Sequence, residues 1–280
     1  MATKFSPRKK IHVLIIDPQG DFCERKGALF VDGADEDMKV RAPRMIKRVC
    51  KAIEDIHVTL DSHHPIHVAH PICWVGRDGK HPGPFTIITE QDVQGGVWRA
   101  FNPALQKRFE MYVSELARGG RYVLCIWPPH CLIGHPGHNV VPELLEALDE
   151  WENGEFAVVD YVTKGSNPYT EHYSALKADV PDPLDLSTQL NTRLIGDLVD
   201  DEISEIAVLG EARSHCVANT LDDLVANFGP ESIAKLTIIT DCCSDVGGPN
   251  AAMFKQMGDS WLDRMVKLGA KTSTSTDWLS

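Results

Sequence analysis

Four apolar segments each run into a residue able to do chemistry. Segment 11–16 (IHVLII) ends at Asp17, and 57–60 (HVTL) ends at the triplet Asp61-Ser62-His63. Segment 156–163 (FAVVDYVT) leads to Lys164, and 206–215 (IAVLGEARSH) leads to Cys216. A thiol attacks as thiolate, and a helix N-terminus lowers its pKa. Cys216 precedes VANTLDDLVANF, which reads as an amphipathic helix that the cysteine opens. The turn 210–215 before it offers backbone N–H groups to a developing oxyanion. Asp17 can take the thiol proton and later return it to a leaving amine. An aspartate closing a buried strand is costly unless paired, and Lys164 can supply that pairing and favour the thiolate. Singly, these residues read as a buried helix-start cysteine and a structural ion pair. Together they point to acyl transfer.

A second constellation suits a metal ion. Asp61 and His63 lie two residues apart, so an extended segment presents both to one side. A third ligand can come from His130, in the run Trp127-Pro128-Pro129-His130-Cys131 that follows the apolar segment 122–126. A mixed carboxylate–imidazole set suits one divalent ion, Zn²⁺ first and Fe²⁺ or Mn²⁺ otherwise. His64, His67 and His70 follow closely, and the sequence leaves open whether His67 or His70 adds a ligand.

These residues converge only if the fold brings the segment ends together. Strands are expected at 11–16, 57–60, 122–126, 156–159, 206–209 and 236–239. Helices are expected at about 43–54, 141–151, 187–200, 216–228 and 250–268. Short buried strands alternating with helices predict an α/β fold, a doubly wound, mainly parallel six-stranded sheet covered on both faces. In such a sheet, ligands bind beyond the carboxyl ends of the strands, at the topological switch point. The simplest organisation is one domain over 1–280. Segments 70–120 and 166–186 exceed what a plain strand–helix unit needs and read equally as lids or as surface insertions.

Composition narrows the partners. The chain has 280 residues and a formal net charge of −12, which argues against nucleic acid or anionic lipid. The basic run 4–10 (KFSPRKK) reads as a solvated tail. No apolar run is long enough to span a bilayer, and the N-terminus lacks a secretory core, so a cytoplasmic location is expected. There the eight cysteines should be mostly reduced. The partner is a small molecule, and the oligomeric state stays open, a homo-oligomer included.

The residues also resemble the isochorismatase-like cysteine hydrolases, and within them the nicotinamidases. The likeness runs from Ile11 to about Asp245 in five ordered blocks. They are Asp17-Pro18-Gln19-Gly20-Asp21-Phe22-Cys23 with Gly27-Ala28-Leu29; Asp61-Ser62-His63; Trp127 to Cys131; Lys164-Gly165 with Tyr173-Ser174; and Gly210 to Thr220. The resemblance implies Cys216 as nucleophile, Asp17 as base then acid, and Lys164 as the third catalytic residue. It also implies Asp61, His63 and His130 as metal ligands. The N–H groups of Ala212 and Cys216 would form the oxyanion hole, beside a cis peptide between Glu211 and Ala212. Phe22 and Trp127 would flank a substrate ring, with Tyr173 nearby and the metal on the ring nitrogen. The implied reaction converts nicotinamide to nicotinic acid and ammonia through a thioester. Gly20, Glu211, Arg213-Ser214 and His135 depart from the family pattern. An amidase for a carbamoyl or ureido compound and a non-catalytic binding protein on the same fold are the alternatives.

Overall fold

A computed structural model describes residues 10–119, 122–200 and 202–280. Apart from Lys10, the basic run 4–10 lies outside them. The central sheet has six strands: β1 (Lys10–Ile16), β2 (Ile53–Asp61), β3 (Asp160–Lys164), β4 (Ile203–Gly210), β5 (Leu236–Ile239) and β6 (Lys271–Ser273). Their spatial order is β6-β5-β4-β1-β2-β3, and every pairing is parallel. The chain thus builds outward from β1 in both directions, and the winding reverses between β1 and β4. Val13, Leu14, Ile15 and Ile16 are all fully buried, so both faces of the central strand are covered. Gly210 closes β4 opposite Ile16 with φ +128°, and a Cβ there would meet the Ile16 carbonyl oxygen at 2.1 Å. Only glycine allows β1 and β4 to run that close at the switch point.

The long helices are α1 (Ala42–Val49), α2 (Gln106–Gly119), α3 (Pro142–Glu155), α4 (Thr192–Val199), α5 (Ala218–Asn227) and α6 (Ala251–Leu268). Two expected strands are corrected. Segment 122–126 stays out of the main sheet: only Leu124–Cys125 pairs, antiparallel, with Ile87–Ile88. The sixth strand is instead the polar Lys271–Ser273. Segment 156–159 precedes its strand. Phe156 caps α3 in the left-handed region, fully exposed, and β3 starts at Asp160.

The two longer segments pack on each other. The first holds an antiparallel pair, Trp74–Gly76 with Trp98–Ala100, a capped turn of helix at Glu90–Gln94, and α2. From α2, Arg108 bonds Asp182 at 2.5 Å and covers the Tyr169 ring at 4.1 Å, while the Tyr112 hydroxyl accepts the Glu171 N–H at 3.1 Å. The first segment also buttresses Trp127. The Phe85 N–H donates to the Ile126 carbonyl at 2.5 Å, and the rings of Phe85 and Trp127 meet edge-on at 5.8 Å.

Candidate active site and metal centre

The carboxyl ends of β1, β2 and β3 and the turn after β4 meet at the switch point. Lys164 Nζ lies 3.0 Å from Asp17 Oδ2, 3.0 Å from Asp61 Oδ1 and 3.6 Å from Cys216 Sγ. All four side chains are buried. Asp17 adopts φ +46°, and the Thr59 hydroxyl donates to its Oδ1 at 2.5 Å. Gln19 grips the end of β2, accepting the Asp61 N–H and donating to the Asp61 carbonyl, both at 2.7 Å.

The electrostatics follow from burying charge among charge. Burial drives the Asp17 carboxyl up, against the pull of Lys164. Burial opposes the ammonium of Lys164, but Asp17 and Asp61 outweigh it and hold the lysine well above its ordinary range. Burial likewise pushes the Cys216 thiol well above its usual range, with Lys164 opposing. The expected lowering by a helix N-terminus is therefore not realised. The helical turn begins at Arg213, not at the cysteine, so Cys216 sits one turn in, desolvated and facing two carboxylates. A thiol so placed needs a base close by, and Asp17 shares with Cys216 the one ammonium of Lys164.

Cys216 and Ala212 line a cavity together with Phe22, Trp127, Tyr173, Asp61 and His130. The Glu211–Ala212 peptide bond is cis, as the resemblance implies. Trp127 Nε1 donates to the Tyr173 hydroxyl at 2.9 Å, which fixes the two rings against each other. The sequence did not single out Val31, Glu171, His215 or Val246, which also line the cavity. Glu171 stands two residues before Tyr173, and His215 directly precedes the cysteine, but neither position carries a pattern that would mark it.

Asp61 faces both ways. Its Oδ1 meets Lys164, while Oδ2 lies 3.0 Å from His63 Nε2 and 3.3 Å from His130 Nε2. His63 Nδ1 is 3.0 Å from the Gly165 carbonyl and His130 Nδ1 is 2.8 Å from the Pro128 carbonyl, so each ring turns Nε2 toward the carboxylate. Gly165 has φ +82°, and a Cβ there would crowd Asp61 Oδ1 at 2.8 Å. His63 Nε2 is buried without a hydrogen-bond partner. These three side chains could hold a metal ion, and so could His63, His67 and Glu171. Of the two open histidines, His67 has both nitrogens near backbone groups, Nε2 at 3.2 Å from the Thr170 carbonyl and Nδ1 accepting the Ala69 N–H at 3.3 Å. His70 instead leaves Nε2 buried and unpartnered.

Comparison with known proteins gives this arrangement a family. The chain is 30% identical over 270 residues to the nicotinamidase of Escherichia coli (strain K12), covering 95% of each chain. The chain belongs to the nicotinamidase family. It is therefore a hydrolase of an amide bond. Solved nicotinamidase-family structures share its fold. The yeast nicotinamidase bound to the inhibitor nicotinaldehyde aligns at a TM-score of 0.62 with 16% identity, covering 94% of this chain and 99% of that one. The Pyrococcus horikoshii pyrazinamidase in complex with zinc aligns at 0.53 with 19% identity, covering 95% and 99%. No protein-family model matches the sequence. Among the described residues, no helix is long and apolar enough to cross a membrane, and all eight cysteines are free.

Proposed function

We propose that this chain hydrolyses nicotinamide to nicotinic acid and ammonia, as one domain, with Cys216 as the nucleophile. The observation that carries the reading is the contact of one buried ammonium, Lys164, with Asp17, Asp61 and Cys216 together. Asp17, raised by burial, takes the Cys216 proton as sulfur attacks the amide carbon. The carbonyl oxygen takes up negative charge at the N–H groups of Ala212 and Cys216. The C–N bond then breaks, the Asp17 proton passes to nitrogen, and ammonia leaves a thioester on Cys216. Water attacks that carbon with Asp17 again as base, the C–S bond breaks, and the thiol recovers its proton. Lys164 keeps its ammonium throughout and holds Asp17 in place. Phe22, Trp127 and Tyr173 wall the ring.

Asp61, His63 and His130 fit a divalent ion, zinc in first place, with Fe²⁺ or Mn²⁺ as the other candidates. The unpartnered His63 Nε2 supports this, as do the backbone carbonyls that fix both rings. His70, held neutral at about 3 by burial, has a free nitrogen, and His67 stands grouped with His63 and Glu171, so either is a candidate further ligand. When bound, the ion supplies an electron-pair acceptor for the pyridine nitrogen. His63 sits raised beside Asp61 against the cost of burial, so metal uptake should release a proton. The deciding experiment is Cys216→Ala: ammonia release from nicotinamide should fall by about 10⁴-fold or more with the fold and metal content unchanged. Turnover near that of the native chain would rule out the thioester route. Release from carbamoyl or ureido compounds but not from nicotinamide would move the substrate to the alternative class.

A further inference from the structure

Immediately before Ala212 stands Glu211, a fully buried carboxyl at the end of β4 where the family pattern has a small apolar residue. Its Oε2 accepts the Ser244 N–H at 3.2 Å, and its other oxygen, Oε1, is buried without a hydrogen-bond partner. Ser244 closes the circuit: its hydroxyl donates to Asp37 Oδ2 at 2.6 Å and its carbonyl accepts the Arg213 N–H at 2.8 Å. Arg41 compensates Asp37 at 2.7 Å. Residues 211 and 213, on either side of Ala212, are therefore both tied to Ser244. We propose that Glu211 is a positioning residue for acyl transfer: its carboxyl, holding the Ser244 backbone N–H, fixes the turn that carries the Ala212 N–H over the cavity.

The proposal rests on the amidase reading and adds a residue to it. The groups facing Glu211 dictate its form. Asp37 and Asp245 are acidic, Cys23, Cys242 and Cys243 are buried thiols, and the nearby Arg41 is spent on Asp37. A second carboxylate near Asp37 would be repelled, and burial adds to that cost, so the neutral acid is the favoured form of Glu211. Burial and Asp37 raise its pKa well above the ordinary range, in keeping with that geometry. A glutamine offers the Ser244 N–H the same acceptor without a charge.

The test compares Glu211→Gln with Glu211→Ala in the full-length chain. It reads kcat and KM for nicotinamide, and amide hydrogen exchange at Ser244. Glu211→Gln should keep kcat within about threefold, while Glu211→Ala loses about tenfold to a hundredfold in kcat with KM within about threefold. Exchange at Ser244 should quicken about tenfold or more in Glu211→Ala alone. An alanine variant with native kcat, or with native exchange at Ser244, overturns the proposal. Should that variant not fold, a folded Glu211→Gln that loses more than about tenfold in kcat overturns it instead. A native chain that releases no ammonia from nicotinamide breaks the functional reading alone, and the exchange rates then decide the clamp.

Discussion

The strands β1, β2 and β3 carry a polar cluster at each end, and only one end can act on a ligand. At the carboxyl ends stand Asp17, Asp61 and Lys164; lower down the strands stand His12, the mid-strand His57 and Asp160. The lower cluster is closed by protein. His12 Nδ1 lies 3.2 Å from His57 Nε2, His57 Nδ1 lies 3.1 Å from Asp160 Oδ2, and Arg193 completes Asp160 at 2.6 Å. At the upper cluster, His63 Nε2, His70 Nε2 and Glu171 Oε2 are buried without hydrogen-bond partners, and a cavity opens beside Cys216. Buried polar groups are normally satisfied, so the upper end holds unsatisfied capacity for a ligand and the lower end does not. Changes above should therefore harm turnover and spare stability. Changes below should do the reverse.

The largest effect within the upper cluster is expected from Asp17→Asn. It removes the base and proton carrier of the proposed mechanism while keeping the shape. kcat should fall about 10³–10⁴-fold, with metal content retained. Stability should hold or rise slightly, because an amide costs less to bury than a desolvated carboxylate. A kcat within about tenfold of native would place the base elsewhere.

His130→Ala sharpens the boundary inside the upper cluster. His130 turns Nε2 to Asp61 Oδ2 and is fixed at Nδ1 by the Pro128 carbonyl. Metal affinity should drop about 10–100-fold and KM should rise, with a smaller change in kcat at saturation. Isothermal titration with Zn²⁺ and steady-state kinetics separate these effects. A collapse of kcat at saturating substrate with metal affinity unchanged would count against a ring-anchoring ion.

Why the upper cluster was legible and parts of the fold were not comes down to where the signal sits. Asp17 and Asp61 each end a run of largely buried apolar residues, a pattern that a single sequence displays, whereas Lys164 ends a strand in which only Val162 is buried ahead of it. Thr59, which bonds Asp17, hides inside its strand as an ordinary β-former, and Glu171 and His215 sit on turns without periodicity. The edge strand β6 is the polar triplet Lys-Thr-Ser, half-exposed as an edge can be, whereas the apolar 122–126 is drawn into the Trp127 buttress. Likewise β3 (DYVTK) reads poorly because it lies at the other sheet edge, paired only with β2. Hydrophobic runs mark the middle of a sheet well and its margins badly.

The smallest effect should come from His12→Asn, in the lower cluster. Burial, and then the neighbouring His57, push His12 down to about 4 from an ordinary 6.5. The unfolded chain therefore binds a proton that the native state refuses between those values. The stabilisation is fully present above pH 6.5 and is lost progressively as pH falls toward 4. One such site gives a slope of at most about 1.4 kcal/mol per pH unit. His215, held near 3 by burial alone, adds a second such slope from the wall of the cavity. In urea melts from pH 7.5 to pH 5, His12→Asn should flatten the loss of stability by up to about one proton while kcat at neutral pH stays within about twofold of native. Asparagine keeps a polar contact toward His57 and Asp55 but cannot titrate, so an unchanged slope would mean that His12 is protonated in the folded chain. A large fall in kcat would mean that the two ends of these strands are coupled, contrary to the division drawn between them.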